Sequence, residues 1–532
     1  MTKGAVALRC AIGALSLGAC CGLASEPLGW HLVQWVALVP LLRAWDGLSR
    51  RASLLAGLAA GVGVNTALFT WLGPSVARYA DLPAPLTWVL FLVFALWEAL
   101  PFAALGLIDW AARRRAPALR WLLFSCGLVL VEWIWPRLFA WTAGTPQVSA
   151  LWVSQSADVV GPYGLSALIA LSNGALDALW TRRAKGPALG VGALLAVVLV
   201  YGVIRAQTVD AGPSVRVGWV QPGRVFTDDH GDTPQAVWAA LRAGADELRR
   251  APQRPDLVVF PEGAVPDTWI EVERPAGGTP AQLSLAARAE QERRGLERAL
   301  ADLSRRARAP VLVGIIRWRA RAKADGQELE AIERWNAALL ADEAGVRDGE
   351  AKRNLLPFGE YLPGEQTWPT LRELLPQAGA LVPGRGDGRL RAGALELGLL
   401  VCYEAVPPRP FGQSSPQVLV NPTNDVWFGR GQGPALHAMI SRLRALEARR
   451  PLVRVTTTGL TRLVAPSGRL LASGGLGRDL QSGVCELPLG AQAQPGPTLY
   501  LRFGDWVVAL AAAGVLWLLL EGYSRQRAPT AG

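Results

Sequence analysis

Histidine is nearly missing: the 532 residues contain three. His31 falls at the end of an apolar run, His230 sits in an acidic loop, and His437 shares a helical stripe of apolar residues, where it reads as structural. A histidine general base is therefore not expected. Cysteine is scarce as well, with six copies, and Cys10, Cys20, Cys21 and Cys126 lie in apolar segments. Only Cys402 and Cys485 belong to the polar part, and neither number nor spacing suits a disulfide framework or a zinc site. Polar composition falls short too. At 51% hydrophobic residues and a mean hydropathy of +0.23 the chain is too apolar to be wholly soluble, so part of it belongs in lipid. The net charge of +11 does not point to nucleic acid, because the arginines cluster beside apolar segments (Arg50-Arg51, Arg113 to Arg115, Arg182-Arg183) and read as topology signals.

What the chain does have is a series of apolar runs, near residues 5–24, 28–45, 53–72, 86–110, 119–135, 159–180, 187–204 and 506–523. Each is long enough to cross about 30 Å of hydrocarbon. Trp30, Trp45, Trp71, Trp88, Trp110, Trp121 and Trp180 stand near their ends, as an interfacial aromatic belt requires. The expectation is a bundle of about eight transmembrane helices, seven of them in residues 1–205 and the last at 506–523. Lys3 and the small residues after it resemble a signal peptide, but with seven further spans a retained helix is the better reading. The Arg-rich short loops belong in the cytoplasm, which puts both termini there and the polar stretch 213–490 on the far, periplasmic side of an inner membrane. Residues 491–505 read as the linker to the last span. Within the runs, Glu98 and Glu132 read as hydrogen-bonding helix packers, and Asp109 and Asp177 as wetted span ends.

The polar stretch follows a different pattern. Strands are expected at 215–221, 256–260, 310–316, 336–341, 395–401 and 418–420, and helices at 234–250, 280–306 and 434–450. Alternating strands and helices, with some strands apolar throughout, argue a layered α/β domain. Two strand ends carry chemistry. The run Val258-Val259-Phe260-Pro261 ends at Glu262, and Leu399-Leu400-Val401 ends at Cys402. Between them Lys352 precedes a Pro-Gly turn and Glu360. A thiol is mostly protonated at neutral pH, so a nucleophilic cysteine needs a base and a nearby cation. Glu262 supplies the carboxylate base, and Lys352, joined by the backbone N–H of Tyr403, supplies positive charge where an oxyanion would form.

The blocks FPEGAVPD around Glu262, KRNLLPFGEYLP from Lys352, VCYE around Cys402 and NPTNDVWFG from Asn421 resemble the carbon–nitrogen hydrolase (nitrilase) superfamily. With eight spans around them, the whole chain resembles the apolipoprotein N-acyltransferase family. That resemblance implies an α-β-β-α sandwich beside the membrane helices. It further implies transfer of a fatty acyl chain from a phospholipid donor, through a cysteine thioester, to the N-terminal amine of a diacylglyceryl apolipoprotein. By position, Glu262 matches the family's general base, Lys352 its oxyanion-stabilising lysine, Cys402 its nucleophile and Glu360 the acid that orients the lysine; Tyr403 and Glu404 fall on supporting positions beside the nucleophile. No metal or organic cofactor is called for, and nothing demands more than a monomer in the bilayer. The stretch 222–231 departs from the family pattern, which leaves lid contacts open. Two other readings remain: a membrane-anchored amidase using water as acceptor, and a transporter or scaffold with an inert α/β domain.

Overall fold

A computed structural model describes residues 3–80, 82–224, 231–273, 277–376, 378–412, 416–490 and 496–527. His230, most of the divergent 222–231 stretch and residues 491–495 of the expected linker lie outside the described residues. The chain divides into two compact units, one of residues 1–208, 428–448 and 497–532, the other of 209–427 and 449–496.

The second unit is built on two sheets. Its strands are β1 (Ser214–Gln221), β2 (Leu257–Val259), β3 (Thr268–Glu273), β4 (Val311–Ala322), β5 (Leu329–Asp342), β6 (Gly345–Ala351), β7 (Arg389–Ala392), β8 (Leu395–Leu399), β9 (Val418–Thr423), β10 (Leu452–Thr456), β11 (Arg462–Val464), β12 (Leu470–Ser473) and β13 (Gln481–Pro488). The first sheet runs β13-β1-β2-β4-β5-β6, with β3 paired to β4; the second runs β12-β11-β10-β9-β8-β7. In each sheet the central strands, β1-β2-β4 and β8-β9-β10, are parallel. Their carboxyl ends are thus available for a site. Val217, Leu257, Val259, Leu312 and Leu340 from one sheet meet Leu397, Leu399, Val418, Val420 and Val453 from the other in a buried apolar layer. Runs apolar at every position suit strands covered on both faces.

On the outer side of the first sheet lie two helices. Pro234–Arg249 starts at Thr233, whose hydroxyl accepts the Ala236 N–H, and buries Val237, Leu241, Ala245 and Leu248 along one stripe. Pro280–Ala307 begins with a capping box of Thr279 and Gln282 and buries Leu296, Leu300 and Leu303. These side chains close a second core with Val220, Val258 and Val313.

Among the described residues the first unit holds six helices long and apolar enough to cross a membrane; the helix Trp506–Arg527, expected as the eighth span, is apolar over Trp506–Leu520, a shorter stretch than those six. The run at 28–45 does not form the single helix expected. It breaks into a 3-10 turn, His31–Trp35, and a short helix, Val39–Ala44, that carries Pro40 at its start. The break is stabilised from elsewhere: the Asn173 side chain accepts the Leu38 N–H at 2.8 Å and donates to the Gln34 carbonyl at 2.9 Å, while Gln147 donates to the His31 carbonyl at 3.0 Å. In hydrocarbon such backbone groups need a protein partner. The segment still brings the chain back to where it began. Arg9 donates to the Asp46 carbonyl at 2.6 Å, whereas Gly18 packs on Gly63 and Gly22 on Ala67, so helices Lys3–Ala24 and Arg50–Phe69 run parallel with a return between them.

Asp109 and Asp177 are not wetted. Asp109 is fully buried between Arg113 at 2.8 Å and Arg120 at 2.7 Å, and Asp177 is buried against Arg43 at 2.8 Å. Each gains an arginine partner that hydropathy alone does not disclose. Glu98 and Glu132 accept the Leu138 and Ala143 N–H groups at 3.0 and 2.8 Å, so they hold the connection after helix Arg120–Ile134 instead of bonding helix to helix as expected. His437 is buried edge-on to Phe428, at 5.4 Å between ring centroids.

Candidate active site

Glu262, Asn336, Lys352, Glu360, Cys402 and Glu404 converge in the second unit. Glu262 leaves the end of β2, Asn336 sits on β5, Lys352 follows β6, and Cys402 comes three residues after β8. Lys352 is 1% exposed and places its ammonium 2.7 Å from Glu360 Oε2 and 3.6 Å from Glu262 Oε1. Asn336 Nδ2 donates to Glu262 Oε1 at 2.5 Å and to Glu360 Oε1 at 2.9 Å. Glu360 Oε2 also accepts the Leu356 N–H at 2.7 Å, which fixes the turn after Lys352.

Cys402 opens the 3-10 turn Cys402–Ala405 with φ at +49°, in the left-handed region. For a residue with a Cβ that conformation costs about 1–2 kcal/mol, so its surroundings must hold it. Two devices do so. Asn421, on β9, donates through Nδ2 to the Leu400 carbonyl and, at 3.2 Å, to the Cys402 carbonyl. Its own Oδ1 accepts from Arg454 Nη1 at 2.8 Å, and Arg454 pairs with Asp425 at 2.7 Å, both side chains having no exposure. On the other side Glu404 accepts the N–H groups of Val401, Arg353 and Asn354 at 2.8, 3.0 and 3.2 Å. Glu404 is a brace between the nucleophile turn and the lysine loop. Tyr403 is half-buried in that turn, its carbonyl accepting the Val406 N–H at 2.9 Å.

Burial pushes the Cys402 thiol well above its ordinary range, the Glu262 charge adds to that, and Lys352 opposes it. Burial likewise raises Glu262, against the pull of Lys352. On Lys352 burial favours the neutral amine, yet the charges of Glu262, Cys402 and Glu360 outweigh it and raise the ammonium above its ordinary value. At rest the site therefore holds a thiol and a fixed cation beside a Glu262 carboxyl whose proton affinity is raised. This arrangement suits proton removal during attack rather than a standing thiolate.

The sequence reading omitted Asn336 and gave no role to Asn421, Asp425 or Arg454. A signal existed for the first, a lone amide at the head of the apolar run Ala337 to Ala341. Arg454 lies on β10, a strand the sequence reading did not list, and arginine there gave no hint of burial.

Residues 17–175 match the family model described as the apolipoprotein N-acyltransferase N-terminal domain, and residues 216–485 match that of carbon-nitrogen hydrolase. An apolipoprotein N-acyltransferase from Rhodopseudomonas palustris is 30% identical, covering 96% of this chain and 94% of its own. One from Geobacter metallireducens is 29% identical, covering 90% and 89%. Among solved structures, an amidase of the nitrilase superfamily from Nesterenkonia AN1 overlaps 57% of this chain and 98% of its own, at 20% identity and a TM-score of 0.36.

Proposed function

Because the chain belongs to the apolipoprotein N-acyltransferase family, with a carbon–nitrogen hydrolase domain over residues 216–485, we propose that it carries a fatty acyl chain from a membrane phospholipid to the N-terminal amine of a diacylglyceryl-cysteine lipoprotein, at the periplasmic face of an inner membrane. The observation that carries this reading is the convergence of a buried ammonium and two carboxylates on the Cys402 turn.

In the first half-reaction Glu262 takes the thiol proton as Cys402 Sγ attacks the donor's ester carbonyl. Negative charge grows on the carbonyl oxygen, and Lys352, fixed by Glu360, stands ready to meet it. Collapse breaks the acyl C–O bond, Glu262 returns the proton to the departing lysophospholipid oxygen, and a thioester stays on Cys402. In the second, the neutral lipoprotein amine attacks the thioester, Glu262 takes a proton from nitrogen, the C–S bond breaks and sulfur recovers that proton. Product leaves between two chemical steps, so ping-pong kinetics follow.

Incubation of the purified protein with phospholipid, followed by intact-mass and peptide mass spectrometry, tests the reading. A single fatty acyl adduct on Cys402, absent in Cys402→Ala, is the expected result. Ammonia release from simple amides with no such adduct would support the amidase reading instead.

A further inference from the structure

The proton relay above uses one oxygen of Glu262, and nothing in that scheme selects it. Asn336 does. Its side-chain nitrogen faces both carboxylates, donating to Glu262 Oε1 and Glu360 Oε1. The opposite amide orientation would set a carbonyl oxygen against two carboxylates. Two N–H protons meet two acids, so the amide's donors are fully used. Glu262 Oε1 is thereby occupied, with Lys352 on the same atom's side at 3.6 Å, and Oε2 is left for the proton. The Asn336 backbone contributes as well: its carbonyl accepts the Lys352 N–H at 2.8 Å, which ties the lysine's main chain to the same residue.

We propose that Asn336 is the positioning residue of the general base, holding Glu262 ionised and directing Oε2 to the proton that moves. This rests on Glu262 being that base. A hydrogen bond donated to a carboxylate favours its charged form, so removing the donor raises the carboxyl's proton affinity. The base form then appears only at higher pH. A residue that merely filled space would alter stability and leave that pH dependence where it was.

The test follows alkylation of Cys402 by iodoacetamide against pH in the full-length protein, read by peptide mass spectrometry so that the other five cysteines do not interfere. Asn336→Ala is expected to move the acid limb upward by about one pH unit, the size of one lost charge-assisted hydrogen bond. Asn336→Ser, whose hydroxyl still donates one proton, should move it less. An acid limb in Asn336→Ala that superimposes on the parent's, in protein whose thermal melt shows it folded, would overturn the proposal; if that variant does not fold, an unshifted Asn336→Ser overturns it. No phospholipid enters this measurement. A shifted limb in protein that never forms a thioester would sink the acyl-transfer reading and sustain the role of Asn336.

Discussion

At the scale of single residues the site depends on one cation held between acids. Lys352 is buried and bound to Glu360 at 2.7 Å, leaving no room for the broader, forked guanidinium. Lys352→Arg should therefore lower acyl transfer by about 10²–10³-fold, the range for losing one oxyanion donor, with Cys402 still present and alkylatable; near-parent turnover in that variant would argue against an oxyanion role. The pH profile has a defined sign. Since the Glu262 carboxyl is raised above its ordinary value, thioester formation should climb with pH through a limb lying above the usual carboxylate range. The ammonium of Lys352 is raised too, so it stays charged through neutral and mildly basic pH and imposes no basic limb there. Stopped-flow acylation between about pH 4 and 9 reads both. Glu262, Lys352 and Cys402 were legible because each ends an apolar run or opens a Pro-Gly turn. Asn336 and Arg454 were not, because a polar residue inside a strand discloses its partner only once distant strands are paired.

At the scale of elements, the nucleophile's turn is held by a chain of contacts running from Asp425 through Arg454 and Asn421 to the Cys402 carbonyl. Removing one member of a buried ion pair strands the other charge at about 3–5 kcal/mol, whereas replacing both with apolar residues is often neutral. Arg454→Met should thus unfold the α/β unit at clearly lower temperature, and Arg454→Met with Asp425→Leu should recover most of the loss without restoring transfer, since Asn421 then lacks its anchor. Differential scanning calorimetry and an acyl-transfer assay on the same samples separate the two effects. Equal melting of the single and double variants would show that the pair does not act as a unit. The strands ending at Glu262 and Cys402 were expected nearly where they occur. The long hairpin of β4 and β5 was read as two short strands, because its outer half, Arg317 to Ala322 with Leu329 to Trp335, is charged and aromatic rather than aliphatic. Cross-strand Arg–Trp contacts sustain it, as between Arg334 and Trp318 at 4.6 Å.

For the whole molecule, apolar run length marked out six helices long enough to cross a membrane among the described residues, out of eight runs expected to do so, and only the backbone could show that the run at 28–45 is broken. Hydropathy counts composition, and the groups that satisfy the break come from Gln147 and Asn173, more than a hundred residues away. Asn173→Leu should leave Leu38 N–H unpaired in an apolar setting, take the side-chain donor from Gln34 C=O, and reduce the yield of folded protein in detergent, while Asn173→Gln, which keeps both functions, should reduce it less; equal yields would count against that role. The proposed topology, with the Arg-rich loops cytoplasmic and the α/β unit outside, predicts that Gln327→Cys, at an exposed turn, reacts with a membrane-impermeant maleimide in intact spheroplasts. Labelling only after lysis would place that unit on the other side. The central claim is that a buried thiol receives an acyl chain from lipid and passes it to an amine. Its most direct test is a single-turnover chase in reconstituted bilayers with acyl-labelled phospholipid: label should appear first on Cys402 in a hydroxylamine-labile bond, then move to the amine of an added diacylglyceryl-cysteine peptide. Label reaching the peptide without passing through Cys402, or leaving Cys402 only as free fatty acid with the peptide present, would contradict the account.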